Sequence, residues 1–206
     1  MRSLILINCS KRKSMDPLNL PEVLRGEVSV PSDDLEREAD YRRALSKYSI
    51  KAMDLYDGPE FKAYRELASS SGARLLVMSA RYGIIDGNRS IIPYDATLAG
   101  KSLTYIEEMV SKWLEHGNYD VAQLSMDWDC AVIRLSDNYL LALELMAMRL
   151  GIDVCSIGGT TIVIGGSRIG ELNGCVKIFV RGNGDARSKK LIEKINHCLS
   201  SGSYRV

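Results

Sequence analysis

The sequence predicts an α/β fold: a three-layer α/β/α sandwich with a mainly parallel central sheet, in one domain over residues 1–206. Three observations predict it. Short continuous apolar runs such as Leu4–Ile7 and Leu75–Met78 have strand length and no polar alternation, the mark of strands buried on both faces. Helical patterns alternate with them, which places helices on both faces of the sheet. At 206 residues and 46% hydrophobic content, the chain can fill one sizeable core.

The elements follow in order. Leu4–Ile7 is the first strand, and a polar loop follows it. The Pro-containing segment from Asp16 to Pro31 fits no element. Ser32 or Asp33 caps a helix running to about Tyr56, with acidic residues in its first turn. Gly58-Pro59 breaks it, and a second helix runs from about Glu60 to Ser70. Leu75–Met78 is a strand, and Ser79 to Lys101 is a long connection rich in Gly, Pro, Asn and Asp. Ser102 caps a helix whose Leu103, Ile106, Met109, Val110, Trp113 and Leu114 form one buried face. Asp129–Ile133 is a strand, and Asp137 caps a helix over Asn138–Leu150 that Gly151 ends. Val154–Ile157, Thr161–Ile164 and Val176–Val180 read as short strands, with Gly165–Gly170 linking a hairpin-like pair. A last amphipathic helix begins at Asp185 and carries Leu191, Ile192, Ile195 and Leu199.

Composition bounds the function classes. A net charge of +1 with 26% charged residues argues against disorder and makes any anion-binding surface local. Five cysteines (Cys9, Cys130, Cys155, Cys175 and Cys198) form no CxxC. Three of them lie in apolar runs, so all read as thiols in a reducing compartment. Two histidines, neither near a cysteine pair, argue against a zinc site. The N-terminal apolar run is too short for a signal peptide, and no 18-residue apolar stretch occurs, so a cytoplasmic protein without a membrane span is expected. No Walker A, GxSxG, HExxH or GxGxxG-with-acid pattern is present, so no cofactor is expected.

Ligands of open parallel sheets bind beyond the carboxyl ends of the strands, and four polar clusters follow strands here. In Asn8-Cys-Ser-Lys-Arg-Lys13, Asn8 offers a donor and an acceptor to a water or a base edge, and Lys11, Arg12 and Lys13 offer charge to phosphate. Cys9 is read as a small buried thiol in preference to a nucleophile, since no histidine lies near it in sequence. The second cluster, Ser79-Ala-Arg-Tyr-Gly83, brings Arg81 for phosphate and Tyr82 to stack on a flat ring. Asp86, Tyr94 and Asp95 follow it. Either carboxylate is a turn former or a ligand. The third, Arg134-Leu-Ser-Asp-Asn-Tyr139, holds Asp137, a helix cap or a site carboxylate, and Tyr139. The fourth, Arg181-Gly-Asn-Gly-Asp185, is a weak anion nest with Arg187 beside it. Asp127 and Asp129 read as turn and strand-edge residues.

Four motifs together resemble a bacterial and phage family of largely uncharacterised proteins. They are Cys9-Ser-Lys-Arg-Lys13, Ala52-Met-Asp-Leu-Tyr56 with Phe61, Met78-Ser-Ala-Arg-Tyr-Gly-Ile84, and Pro93-Tyr-Asp-Ala-Thr-Leu98. That family is similar to the uracil-DNA glycosylase-like superfamily. A related Cys-Ser-x-Lys signature occurs in an archaeosine synthase domain, and a more distant similarity runs to peroxide-stress DNA-binding proteins. The resemblance implies a uracil-DNA glycosylase-like α/β/α fold and chemistry at a base-to-sugar bond. It implies Asn8 in the place of the water-activating residue after the first strand. The Gly-Gln-Asp-Pro-Tyr and His-Pro-Ser motifs of uracil-DNA glycosylases are missing, which argues against uracil as the base.

The expected function is that of a monofunctional DNA glycosylase-like hydrolase acting on a modified base, in defence against phage with modified DNA. DNA is the expected partner, with no membrane and no obligate protein partner. Catalytic roles fall to Asn8 and one of Asp86, Asp95 and Asp137. Cys9, Ser10, Ser79, Tyr82, Tyr94 and Tyr139 would bind the base, and Lys11, Arg12, Lys13, Arg81 and Arg187 the phosphates. The alternatives are a non-catalytic DNA-binding or stress protein and a nucleoside- or nucleotide-processing enzyme.

Overall fold

The structure, a computed structural model, describes residues 1–116 and 120–203. Its elements in chain order are β1 (Ser3–Asn8), α1 (Pro21–Leu24), α2 (Glu38–Leu45), β2 (Ile50–Lys51), α3 (Ala52–Leu55), α4 (Pro59–Ser71), β3 (Arg74–Ser79), β4 (Gly83–Asp86) and β5 (Ser90–Ile91). Then come α5 (Leu103–Glu115), β6 (Trp128–Arg134), α6 (Asp137–Leu150), β7 (Gly158–Gly165), β8 (Val176–Phe179), α7 (Asn183–Ala186) and α8 (Lys189–Ser201).

The apolar runs take the centre of a six-stranded sheet in the order β4-β3-β1-β6-β7-β8. All neighbours are parallel except β4, which lies antiparallel on β3. Leu6 of β1 stands opposite Leu76 of β3 on one side and Ile133 of β6 on the other. Leu4, Leu6, Leu76 and Ile133 have no exposed surface, as strands covered on both faces require. Helices α5 and α6 pack on one another, as do α4 and α8, giving the three-layer α/β/α arrangement. The chain leaves β1 toward β3 on one side and returns from β3 to β6 on the other. The order therefore reverses between β1 and β6, and this is where open α/β sheets bind ligands.

Several local expectations are corrected. The helix expected over 32–56 is broken: α2 stops at Leu45, and Ile50–Lys51 pairs with Ser90–Ile91 instead. A tertiary strand pairing outcompetes local helix propensity there. The long connection after Ser79 holds β4 and β5, because Gly83 at φ 67° lets the chain turn back onto β3. Val154–Ser156 is a 3-10 turn, not a strand, with the Asp153 carboxylate accepting from the Cys155 N–H. β7 and β8 are parallel, so 166–175 is a short crossover with a 3-10 turn at Ser167–Glu171, not a hairpin link. The unassigned segment 16–31 contains a 3-10 turn capped by Asp16, then α1. Its Leu20 and Val28 join Tyr41, Leu45 and Ile92 in a small second core.

The cysteine reading is also corrected. Cys130 of β6 is bonded to Cys198 of α8, and Cys155 to Cys175, with Cα separations of 5.9 and 4.9 Å. Cys9 is the free cysteine among the described residues, and it is buried. Spacing could not reveal pairs that the strand order brings together across 68 and 20 residues, and the cysteine argument for a reducing compartment falls with it. No helix among the described residues is long and apolar enough to cross a membrane.

Candidate functional site

The carboxyl ends of β1 and β6 meet through Asn8. Its Oδ1 accepts from the Ser136 N–H at 3.1 Å, and its Nδ2 donates to the Cys9 carbonyl at 3.0 Å. One lone pair and one N–H of the amide remain for a further partner. Two cavities lie at this junction. One, of about 240 Å³, is lined by Asn8, Cys9, Ser10, Lys11, Arg12 and the first turn of α4, including Glu60 and Phe61. The other, of about 350 Å³, is lined by Arg134, Ser136, Asp137, Gly166, Arg181 and Gly182, among others. The Glu60–Arg134 ion pair stands between them, one partner in each wall.

Asp137 is the first residue of α6, and Ser136 holds the cap position, so the expected capping role is corrected. The Asp137 Oδ2 accepts from the Ser167 hydroxyl at 3.3 Å. Its Oδ1 is shut away from solvent with no hydrogen-bond partner among the described residues. A Cβ on Gly166 would come within 2.8 Å of that Oδ1, so the glycine is what lets the β7 end close over the carboxylate. Gly58 plays a similar part at the other cavity, where a Cβ would stand 2.3 Å from the Ser10 Oγ.

The cationic loop is partly committed. Arg12 pairs with Asp57 at 3.0 Å but keeps a largely exposed side chain. Lys13 bridges to Tyr56 through its backbone and places its Nζ 4.8 Å above the Tyr94 ring. Lys11 is exposed and has no ion-pair partner among the described residues. Lys11, Arg12, Lys13 and the exposed Asp95 line a third depression, of about 360 Å³. Arg187 is exposed beyond α7, near enough to Glu60 for its charge to favour that carboxylate.

Beneath the Asn8–Lys13 loop lies a buried hydroxyl network. Tyr94 Oη bonds Tyr56 Oη at 2.9 Å and Ser79 Oγ at 2.8 Å, and the Tyr82 N–H donates to Ser79 Oγ at 3.1 Å. Tyr139 Oη bonds Cys9 Sγ at 3.2 Å and receives the Leu98 N–H at 3.4 Å. Cys9, Tyr56, Ser79, Tyr82, Tyr94 and Leu98 come from the four sequence motifs, so their meeting point is this floor. Burial pushes the phenols of Tyr56, Tyr94 and Tyr139 up, which keeps them neutral. Ser79, Tyr94 and Tyr139, expected on the base, are buried and line neither cavity.

Three further expected site residues lie away from the cavities. Asp86 stands opposite Leu76, toward the amino end of β3, and its carboxylate binds Arg74 Nε at 2.7 Å. An antiparallel β4 carries it away from the carboxyl edge. Arg81 is fully buried, and its guanidinium binds Asp34 at 2.8 Å, Glu38 at 3.0 Å and the Ser32 carbonyl. It has no exposed surface to offer a phosphate. Tyr82 is buried edge-on against Tyr94 and donates its hydroxyl to Glu38, so it offers no face to a base. The 32–45 segment covers both, which polar residues at a strand end cannot reveal.

Sequence reasoning missed Glu60. It follows no strand, but a crossover helix from β1 to β3 must start at the carboxyl edge, and Gly58-Pro59 marks that start. Burial pushes its carboxyl up despite the opposing charges of Arg134 and Arg187. Among the described residues, no group of three or more His, Cys, Asp or Glu side chains is placed to hold a metal ion.

Residues 43–143 match a family of unknown function, DUF6884. The matched stretch runs from within α2 into α6 and includes Tyr56, Glu60, Ser79, Tyr94, Asp137 and Tyr139, while Asn8–Lys13 precede it. No curated protein matches the chain.

Proposed function

We propose that the protein is a DNA glycosylase-like hydrolase that cleaves the bond between a modified base and its sugar. The observation that carries this reading is the junction of β1 and β6, where Asn8 has free hydrogen-bonding capacity between two cavities and Asp137 lines the second. N-glycoside hydrolysis needs a held water, a carboxylate near the cationic sugar and donors near the departing base. Asn8 would hold the water and the Asp137 carboxylate would stabilise the developing oxocarbenium ion. A base flipped out of the helix would lie in the cavity walled by Pro59 and Phe61, with Lys11 and Arg12 on the flanking phosphates. A role against phage carrying modified DNA fits this chemistry. Incubation with DNAs bearing different modified bases, followed by alkaline cleavage, tests it. Abasic sites should form with the native protein, and Asn8→Ala should lose most base release while retaining DNA binding. Base release by Asn8→Ala at the native rate would overturn the assignment of the water.

A second reading, a nucleotide-processing enzyme using the same site, is favoured by one observation. Arg81 is sealed in the core, and Arg12 and Lys13 are partly engaged, which leaves a small cationic footprint for a duplex. Cleavage of a free nucleotide in preference to the same base in DNA would decide for it.

A further inference from the structure

We propose that Glu60 is the general base of this site, taking the proton from the water that Asn8 holds, with Arg134 as the residue that positions it. This rests on the reading of the site as one of N-glycoside hydrolysis. Glu60 is the second residue of α4, and it shares the 240 Å³ cavity with Asn8. Its Oε1 accepts from Arg134 Nε, while its Oε2 has no hydrogen-bond partner among the described residues and is not shut off from solvent. Arg134 is itself 5% exposed and is anchored through Nη1 to the Leu135 carbonyl at 3.0 Å. The pair therefore fixes one carboxylate oxygen and leaves the other open, on a residue that lines the same cavity as Asn8. Asp137 lies in the other cavity and has one oxygen sealed, which suits it to stabilise charge and not to accept a proton from water.

In the step, the water oxygen bonds to the anomeric carbon as the carbon–nitrogen bond breaks. The bond's electron pair leaves with the base. The water proton passes to Glu60 Oε2 and on to the departing base, so no co-reactant is needed. The charged and titratable groups around Glu60 are Arg134 on β6, Arg187 beyond α7, Lys11, Arg12 and Cys9 on the β1 loop, and Tyr64 on its own helix. Burial raises the carboxyl above its ordinary range, which places its titration nearer to neutral pH than that of a surface glutamate.

The test is base release by native protein, Glu60→Gln and Glu60→Asp, with binding to an uncleaved DNA measured alongside. Glu60→Gln keeps an acceptor for Arg134. It should lose at least about 100-fold in kcat with DNA affinity within about twofold, and should lose the acidic limb of the native pH–rate profile. Azide, a nucleophile that needs no base but brings no proton, should restore turnover to Glu60→Gln on bases that depart as stable anions, which a purely structural role would not allow. If Glu60→Gln fails to fold, Glu60→Asp should fold, retain the acidic limb and be slowed about tenfold or more. Full activity in either variant with an unchanged pH profile would overturn the assignment and leave the proposed function standing. Native protein inert on every modified base and nucleotide would overturn both.

Discussion

Arg81→Met is the sharpest perturbation of the fold. The guanidinium holds Asp34 and Glu38 from a fully buried position, and the rings of Tyr41 and Tyr82 lie about it at 5.1 and 5.4 Å. Methionine fills the volume but takes the buried cation from two half-buried carboxylates, leaving Glu38 with Arg42 at 2.9 Å and Asp34 with Arg37 at 3.9 Å, a loss of about 3 kcal/mol at pH 7. The pH dependence follows from Asp34. Burial opposes its ionisation, but hydrogen bonds from Tyr41 and Arg81 outweigh that and hold its carboxyl at about 2, below its ordinary 3.8. A lowered folded pKa contributes stability that is present above the ordinary value and lost as pH falls toward the folded one. At pH 3, about 1 kcal/mol of the native protein's advantage should be gone. Urea denaturation followed by circular dichroism at pH 7, 4 and 3 measures the difference. A loss below about 1 kcal/mol at pH 7, or a difference that grows toward pH 3, would refute the reasoning. The salt dependence of DNA binding should be unchanged in the variant, and a flatter slope would return Arg81 to the phosphate contacts.

Replacing Lys11 and Arg12 with Ala should flatten the slope of log affinity against log salt by about two if both touch duplex phosphates; an unchanged slope places the DNA elsewhere. Gly58→Ala drives a Cβ into Ser10 and should destabilise the protein by about 1–3 kcal/mol in thermal melts. Adding Ser10→Gly should recover part of that loss, since it removes the atoms 2.3 and 3.0 Å from the new Cβ. Reduction of Cys155–Cys175, which closes a 20-residue separation, should lower unfolding stability by about 3 kcal/mol. An unfolding midpoint unaffected by dithiothreitol would contradict that.

The parts of the fold legible in the sequence are those with a local signal. β1, β3 and β6 are continuous apolar runs, and α5 and α8 carry clear helical stripes, so periodicity places them, although the expected start at Asp185 falls in the separate short α7 and α8 begins only at Lys189. β4 has four residues, and its partner is decided by a turn at Gly83, while β2 and β5 exist only through each other. Val154–Ser156 looks like strand until Asp153 caps it into a turn. At the site, the rule that polar groups after strands gather at the carboxyl edge finds Asn8, Ser10, Lys11, Arg12 and Asp137, which line the two cavities. It fails for Arg81 and Tyr82, which also follow a strand, because Asp34 and Glu38 arrive from 43 or more residues away to cover them. It misses Glu60, which enters from a helix start.

The neutral hydroxyl floor has an electrical consequence. Tyr56, Tyr94 and Tyr139 carry no charge at any working pH, and beneath them lies the apolar core. The fixed charges that line the two cavities, positive at Lys11, Arg12, Arg134 and Arg181 and negative at Glu60 and Asp137, therefore stand on a poorly polarisable base with water on one side. Field lines that cannot spread through such a base are driven out into the clefts, where the potential is stronger than the same charges would produce on a convex surface. A chain whose net charge is only +1 can in this way steer an anion to one edge of its sheet, and it would do so most at low ionic strength.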